Sequence, residues 1–213
     1  MWALVDGDGK VTEIIKVARS LTINDVRHPR TIFGAWSWDE LNAIGIYTVE
    51  DSGTKGDDRF QLTSEATYTF SSSDKKVTTK YTLTDRPLDD SEAKDEAGNN
   101  ILNPEGTKMM NIGVKTIAKE ETNLMAHQLI SKFSWLVERA TYDSSKAIPD
   151  AVKTYVAAIQ KDADDIVTAI TNASDMDAFK ALYVDEMNSD GTVKTVNRMN
   201  RWTSDSTVET YIR

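Results

Sequence analysis

The run PDAVKTYVAAIQKDADDIVTAITN, residues 149–172, establishes that part of this 213-residue chain is helical. Its apolar residues recur at intervals that keep to one face of a helix: Val152, Tyr155, Val156, Ile159, Ala163, Ile166 and Ile170. Pro149 stands where a helix can begin, since its missing amide proton costs nothing in the first turn. The spacing therefore predicts an amphipathic helix that ends near Asn172.

A helical period also precedes and follows this run. From about Val114, one apolar stripe is predicted from seven residues: Ile117, Leu124, Met125, Leu129, Phe133, Leu136 and Ala140. After the run, Ser174 and Asp177 predict the start of a third, short helix that carries Phe179, Leu182 and Tyr183. Two long amphipathic helices joined by a short polar turn are expected to pack antiparallel.

The N-terminal third has strand patterns instead. Trp2–Val5 and Val11–Ile15 flank an Asp-Gly turn, which predicts a tight hairpin. Residues 66–70 and 77–83 alternate apolar and polar side chains and predict a second hairpin, which Pro87 ends. Residues 17–35 are expected to be irregular.

One short helix is expected between these hairpins. Ser37 and Glu40 fit a capping box, and Gly45 follows Ile44 as a left-handed stop. Ile46–Val49 then resumes as a strand. The predicted class is α+β, with a small antiparallel β region and one short helix first, then an antiparallel helical hairpin plus a third short helix.

Four segments are predicted along the chain. Residues 1–84 form a β-rich domain, residues 85–108 an acidic linker or long loop, residues 109–187 a helical domain, and residues 188–213 a polar tail. Residues 85–108 carry seven acids and three bases, and almost nothing apolar. Such composition is typical of a linker or surface loop.

Composition limits the function. The net charge of −9 disfavours a nucleic-acid partner, because affinity for phosphates comes from Lys and Arg. No apolar stretch approaches a membrane span, and Asp6 interrupts the N-terminal apolar run, so we expect a soluble protein without a signal peptide or membrane contact. The chain contains no cysteine, which excludes disulfides and thiolate metal sites.

No catalytic, cofactor or metal site is predicted. His28 and His127 lack a second histidine or a carboxylate at metal-ligand spacing. Adjacent acids such as Glu120 and Glu121 point to different helix faces and suit a solvated surface better than acid–base catalysis. We therefore expect a protein that is not an enzyme, although convergence of distant carboxylates, as in a glycosidase, is left open by the sequence.

Aromatic residues are the best candidates for contact with partners. Five are predicted to be interface anchors: Trp36, Trp38, Trp135, Trp202 and Tyr211. Trp36 and Trp38 are also expected to help hold the short helix on the sheet. In an alternative interpretation, the five tryptophans form a platform on which sugars stack.

Two parts of the chain resemble phage proteins. The N-terminal part resembles proteins encoded beside tail genes in tailed phages of aquatic bacteria, through four stretches: Met1–Asp6, Leu21–Val26, Trp38–Leu41 and Ile44–Tyr47. The C-terminal half is similar to the helical region of tail-fibre assembly and tail-associated proteins. The residues that carry this similarity are Lys119, Asn123, Leu129, Trp135, Arg139, Pro149, Val152 and Tyr155, with Ser134 where the region usually has Asp.

The resemblance implies a structural role without catalysis. It implies a component of the virion tail (a fibre, adaptor or baseplate-peripheral subunit), assembled in the host cytoplasm. The expected partners are other tail proteins, or copies of the same chain in a symmetric assembly. A tail-fibre assembly chaperone is the alternative, and a carbohydrate-binding or carbohydrate-active tail protein is a second one.

Overall fold

The protein has two compact units. The computed structural model describes residues 1–212, and the boundary between its units falls after Thr84. Unit 1 (residues 1–84) is rich in antiparallel strands, and unit 2, from Asp85 onward, contains the long helices. The predicted α+β class is confirmed.

Unit 1 alternates short strands with two short helices. In chain order these are β1 (Trp2–Val5), β2 (Val11–Ile15), β3 (Leu21–Ile23), β4 (Val26–His28), α1 (Ile32–Ala35), α2 (Trp38–Ala43), β5 (Ile46–Glu50), β6 (Gln61–Thr63), β7 (Thr67–Ser71), β8 (Lys76–Lys80) and β9 (Leu83–Asp85), whose last residue already belongs to unit 2.

A five-stranded sheet with the order β2-β1-β5-β8-β7 forms the centre of unit 1. All neighbours are antiparallel except β5 and β8, which pair in parallel. Strand β1 is covered on both faces, because Trp2 and Leu4 pack into one apolar cluster while Ala3 and Val5 pack into another. Burial of both faces explains why four consecutive residues of β1 are apolar.

The first hairpin is confirmed, and a further one appears where irregular chain was expected. Strands β1 and β2 pair around Asp6, whose Oδ1 accepts hydrogen bonds from the amides of Asp8 and Lys10. Strands β3 and β4 pair around Asn24 and Asp25, both with positive φ. The prediction for residues 17–35 was therefore wrong, because two Asx residues provide the left-handed pair that a two-residue turn needs.

The capping box before α2 is confirmed. Ser37 Oγ accepts from the Glu40 amide at 3.3 Å, and the Ser37 amide donates to Glu40 Oε2 at 2.7 Å. The Ser37 amide, followed by the Ser37 hydroxyl that donates to the same Oε2 at 2.8 Å, holds the pKa of Glu40 below its ordinary value. Gly45 has a φ of +84° and ends the helix as predicted. Helices α1 and α2 place Ile32 and Leu41 against Ile15 and Ile46 of the sheet.

Unit 2 contains the remaining elements. They are β10 (Ser91–Glu92), β11 (Met110–Asn111), α3 (Val114–Ser131), α4 (Ser134–Tyr142), α5 (Asp150–Asn172), α6 (Met176–Ala181), β12 (Glu186–Met187), β13 (Val193–Thr195) and two 3-10 helices, Arg198–Asn200 and Ser206–Tyr211.

Helices α3 and α5 pack against each other as expected. The C-terminal end of α3, at Ala126, shares a core cluster with Val152 and Tyr155 from the start of α5, as an antiparallel pair requires. Phe133 and Leu136 complete that cluster, and the predicted third helix is present with Asp175 as its N-cap.

Two details of the first long helix differ from the prediction. The helix is interrupted at Lys132 and Phe133, so that α4 is separate from α3. The buried face of α3 is also a different one, since Leu124 and Met125 are exposed. Its buried residues are Val114, Ala118, Thr122 and Ala126. Small residues at this spacing let α5 approach closely, and the bulkier stripe is displaced outward.

Residues 91–111 form an ordered module, which we call the octad module, where a linker or loop was predicted. Three tripeptides spaced eight residues apart lie side by side: Glu92–Lys94, Asn100–Leu102 and Lys108–Met110. The central amides donate in a closed ring, from Ala93 to the carbonyl of Met109, from Met109 to that of Ile101, and from Ile101 to that of Ala93, at 2.8–2.9 Å.

Two five-residue turns connect the tripeptides. Each begins with Asp95 or Asn103 and has a glycine with positive φ at its fourth position, Gly98 or Gly106. Asp95 Oδ1 accepts from the amides of Ala97 and Asn99, and Asn103 Oδ1 accepts from that of Thr107. Turn side chains, rather than apolar burial, satisfy the backbone of this module.

The segment predicted to be a polar tail is folded onto the helices. Trp202, Val208 and Tyr211 pack against the core cluster of α5. The Thr203 amide donates to Asp162 Oδ2 at 2.6 Å, and Arg198 forms an ion pair with Asp165 at 3.4 Å. The segment therefore belongs to the helical unit, because a few apolar residues are enough to attach an otherwise polar stretch.

Candidate interaction surface

The octad module presents a group of exposed apolar side chains. We call them the apolar patch, and its members are Ile101, Leu102, Met109, Met110 and Ile112. Each is between 39% and 55% exposed. The backbone places them on one short ladder, because the Met109 amide donates to the Ile101 carbonyl and Leu102 is paired with Lys108. Since successive residues of a strand point to opposite faces, Ile101 and Met109 share one face of this ladder, and Leu102 and Met110 share the other.

Polar contacts hold the patch in place. Glu92, Asn100 and Lys108 occupy equivalent positions in the three tripeptides, and Lys108 Nζ lies 2.5 Å from Glu92 Oε1. The Lys108 ammonium, with a smaller contribution from Asn100, holds the pKa of Glu92 below its ordinary value. Pairing along the ladder sets Met110 opposite Glu92 and Leu102 opposite Lys108. The apolar side chains therefore stand on a braced backbone.

The module also continues directly into the long helix α3. Gly113 precedes the first turn, and its amide donates to Asp90 Oδ1 at 2.7 Å. A side chain at this position would meet Asp89 backbone atoms at 2.5 Å, so the close approach of the two segments requires glycine. The amides of Val114 and Lys115 donate to the carbonyls of Pro87 and Leu88. The apolar patch is thus tied to the rigid helical part of unit 2.

The predicted anchors of unit 1 differ in exposure. Trp36 packs against the cluster around Ile15 and contacts the His28 ring edge-on at a centroid distance of 5.6 Å. Trp38, in contrast, is 54% exposed at the start of α2. The expectation that both rings hold the helix on the sheet fits Trp36 and fails for Trp38, whose position in the first turn directs most of its ring to solvent.

The three predicted anchors of unit 2 pack against one core cluster. Trp135 Nε1 donates to the carbonyl of Tyr211 at 2.9 Å, and the Arg139 guanidinium lies 5.1 Å from the Trp135 ring. Trp202 and Tyr211 pack on the same core cluster as Trp135. These three side chains have an internal role, which leaves Trp38 as the predicted anchor with most of its surface free. Of the five tryptophans, Trp2, Trp36 and Trp38 belong to unit 1, and Trp135 and Trp202 belong to unit 2.

The depressed carboxyl pKa values have local causes. The pKa of Asp95 is lowered chiefly by the Asn99 amide, and that of Asp175 by the Ala178 amide. The pKa of Asp205 is lowered chiefly by the Thr207 side chain. Each of these acids caps a helix or closes a turn, so its shift reflects backbone satisfaction. Within residues 1–212, no three His, Asp or Glu side chains converge as a metal site would require.

Comparison with family models, with curated proteins and with solved structures finds no match. None of the helices in the described part of the chain combines the length and apolar character of a membrane span.

The sequence did not indicate the apolar patch, because residues 85–108 were predicted to be an acidic linker or a long loop. A usable signal was present: the pattern of an Asx residue followed by glycine three positions later occurs at 95–98 and again at 103–106. The same pattern occurs at Asp6–Gly9 and Asn188–Gly191, where the structure also has hairpins.

Proposed function

We propose that this chain is a non-catalytic structural component of a phage virion tail, and that the apolar patch is its main surface for protein–protein contacts. The patch is the observation that carries the proposal. The phage assignment rests on the resemblance of Met1–Asp6, Trp38–Leu41 and the helical half to tail-associated proteins. The occupant of the patch is another tail protein or a second copy of the chain in a symmetric assembly.

A contact role fits the physical character of the patch. Large apolar side chains that are exposed on one short module favour an interaction surface, because water is excluded from them only when a partner covers them. Scattered exposed apolar residues would have no such meaning. The braced backbone favours recognition further, since little ordering is needed on binding.

The location in the virion is tested by mass spectrometry of purified particles from the phage whose genome encodes the chain. We expect peptides of this protein in finished particles, at a constant ratio to the other tail proteins. Complete absence from finished particles removes the proposal. If the protein co-purifies with fibre protein from lysates during assembly but is missing from finished particles, the assembly-chaperone alternative replaces the proposal.

The role of the patch is tested by Leu102→Asp, which places a charge where an apolar contact is proposed. Leu62→Asp is the matched control, because both leucines are 55% exposed and Leu62 lies on β6 of unit 1. We expect the Leu102 variant to fold, as judged by circular dichroism, and to be lost from particles when it complements a deletion. Equal incorporation of both variants would contradict a role for the patch.

A further inference from the structure

Unit 1 contains a cleft of about 840 Å³ that is independent of the apolar patch. It lies between the Asp6–Gly9 turn, the turn at Asn24 and the C-terminal end of α2. Its volume is in the range of small-molecule sites, which span roughly 300–1,000 Å³.

Several polar side chains in this cleft have unused hydrogen-bonding capacity. Among the described residues, none forms a hydrogen bond with the side chains of Asp8, Asn24 or Asn42. Asp6 is fixed beside them, since its Oδ1 accepts from the amides of Asp8 and Lys10 at 3.1 and 2.9 Å. Carboxylates accept hydrogen bonds, whereas amide side chains both accept and donate. Vicinal hydroxyl groups match this combination.

The charge of the cleft restricts its ligand. Asp6 and Asp8 are its ionisable acids, and no lysine, arginine or histidine is among the described residues that line it. Two carboxylates without a cation repel phosphates, uronates and other anions. The ligand is therefore neutral or positively charged.

One wall of the cleft is aromatic. Tyr47 and Phe70 line it, with ring centroids 4.4 Å apart and planes tilted by 48°. Both rings pack against the cluster of Ala3, Val5 and Val77, which fixes their orientation. A fixed aromatic surface beside hydrogen-bonding groups suits a ligand with an apolar face and a polar rim.

We propose that this cleft binds a neutral oligosaccharide. A pyranose ring offers C–H groups to Tyr47 and Phe70 and hydroxyl groups to Asp8 and Asn42. A cationic peptide that bound by adding a strand to a free edge fits less well. Here the backbone at the cleft is already paired: the Val5 amide donates to Gly45 O at 2.8 Å, and the Asp6 amide donates to Lys10 O at 3.0 Å.

The test is saturation-transfer NMR on the intact chain with neutral trisaccharides of glucose, mannose, galactose and N-acetylglucosamine at millimolar concentration. A trimer of galacturonic acid and tri-lysine serve as the charged probes. We expect transfer to at least one neutral sugar, with affinity about tenfold lower in Asn42→Ala, the loss of one or two hydrogen bonds. Asp8→Ala should weaken binding in the same way.

Asn123→Ala is the matched control, since it also removes a helical amide side chain but lies on α3 of unit 2. We expect it to bind like the unchanged chain. No transfer to any neutral trisaccharide, binding that Asn42→Ala leaves intact, or preferential binding of tri-lysine would each overturn the proposal. Because the measurement needs no virion, its outcome is independent of the proposed tail function.

Discussion

Gly45, between α2 and β5, meets two constraints at a single residue. Its φ of +84° is strained for any residue with a side chain, and a Cβ there would lie 2.5 Å from the carbonyl oxygen of Val5. The Gly45 carbonyl also accepts the Val5 amide, so the two backbones cannot separate without losing that bond. Position 45 therefore fixes how the short helix reaches the central sheet.

Substitution at this position should destabilise unit 1. We expect Gly45→Ala to lower the free energy of unfolding by about 2 kcal/mol or more, as the sum of the left-handed conformation and the contact with Val5. Urea titration followed by circular dichroism measures the change. Gly7→Ala is the control, because no atom lies within 4 Å of its added Cβ, and it should cost far less.

Residues with local roles were predictable from the sequence, and residues with distant partners were not. Ser37, Glu40 and Gly45 act on neighbours within a few positions, so their pattern alone shows the cap and the stop. Trp135 instead donates to Tyr211, 76 residues further on. Sequence spacing contains no record of that pairing, which is why an internal contact was taken for an interface anchor.

At the scale of elements, the octad module depends on the left-handed glycines in its turns. We expect Gly106→Ala to destabilise the module by about 1 kcal/mol, since φ is +80° but the added methyl group meets nothing within 4 Å. Hydrogen exchange should become faster at the amides of Ile101 and Met109. Glu105→Ala, in the same turn, is the control, and equal exchange in both variants would be inconsistent with a role for the glycine.

The buried and exposed faces of α3 should respond differently to substitution. Ala118 is only 2% exposed, so Ala118→Leu should destabilise unit 2 by about 1–3 kcal/mol through overpacking. Leu124→Ala, on the exposed face, should change stability by less than about 0.5 kcal/mol. Thermal unfolding of both variants checks this order. If Leu124→Ala destabilised unit 2 more than Ala118→Leu, the stripe predicted from the sequence would be the buried face of α3.

The elements also show why the octad module and the helix face escaped prediction. Apolar periodicity locates segments that are ordered by burial, and α5 is such a segment. The module is ordered by side chains such as Asp95 and Asn103 that bond to their own turns, and these residues are also common in linkers. On α3, two apolar stripes compete, and only the shape of α5 selects the one with small residues.

For the whole molecule, stability should fall on acidification. Carboxyl groups in both units have depressed pKa values, among them Glu40 and Asp57 in unit 1 and Asp95, Asp175 and Asp205 in unit 2. As the pH falls, these carboxyl groups therefore take up protons at a higher pH in the unfolded chain than in the folded one. The stabilisation from these groups is complete above their ordinary pKa values and is lost as the pH falls through the lower values of the folded state.

Urea midpoints measured between about pH 6 and pH 3 check this expectation, which is a steady decrease below about pH 5. Ser37→Ala provides a local control, since it removes the hydroxyl that accepts from the Glu40 amide and contributes to the depressed Glu40 pKa. NMR titration of that carboxyl should then give a higher pKa. A midpoint that rises on acidification would contradict the assignment of these acids to caps and turns.

The docking of residues 202–211 on the helical core has a consequence for biosynthesis. A ribosome releases α3 and α5 before it releases Trp202, Val208 and Tyr211. Phe133, Tyr155 and Ile159 therefore lack these packing partners while translation continues. During that interval the nascent helices expose apolar surface that favours aggregation. Chains stalled before position 202 should accordingly be digested by protease, whereas chains released beyond it should resist.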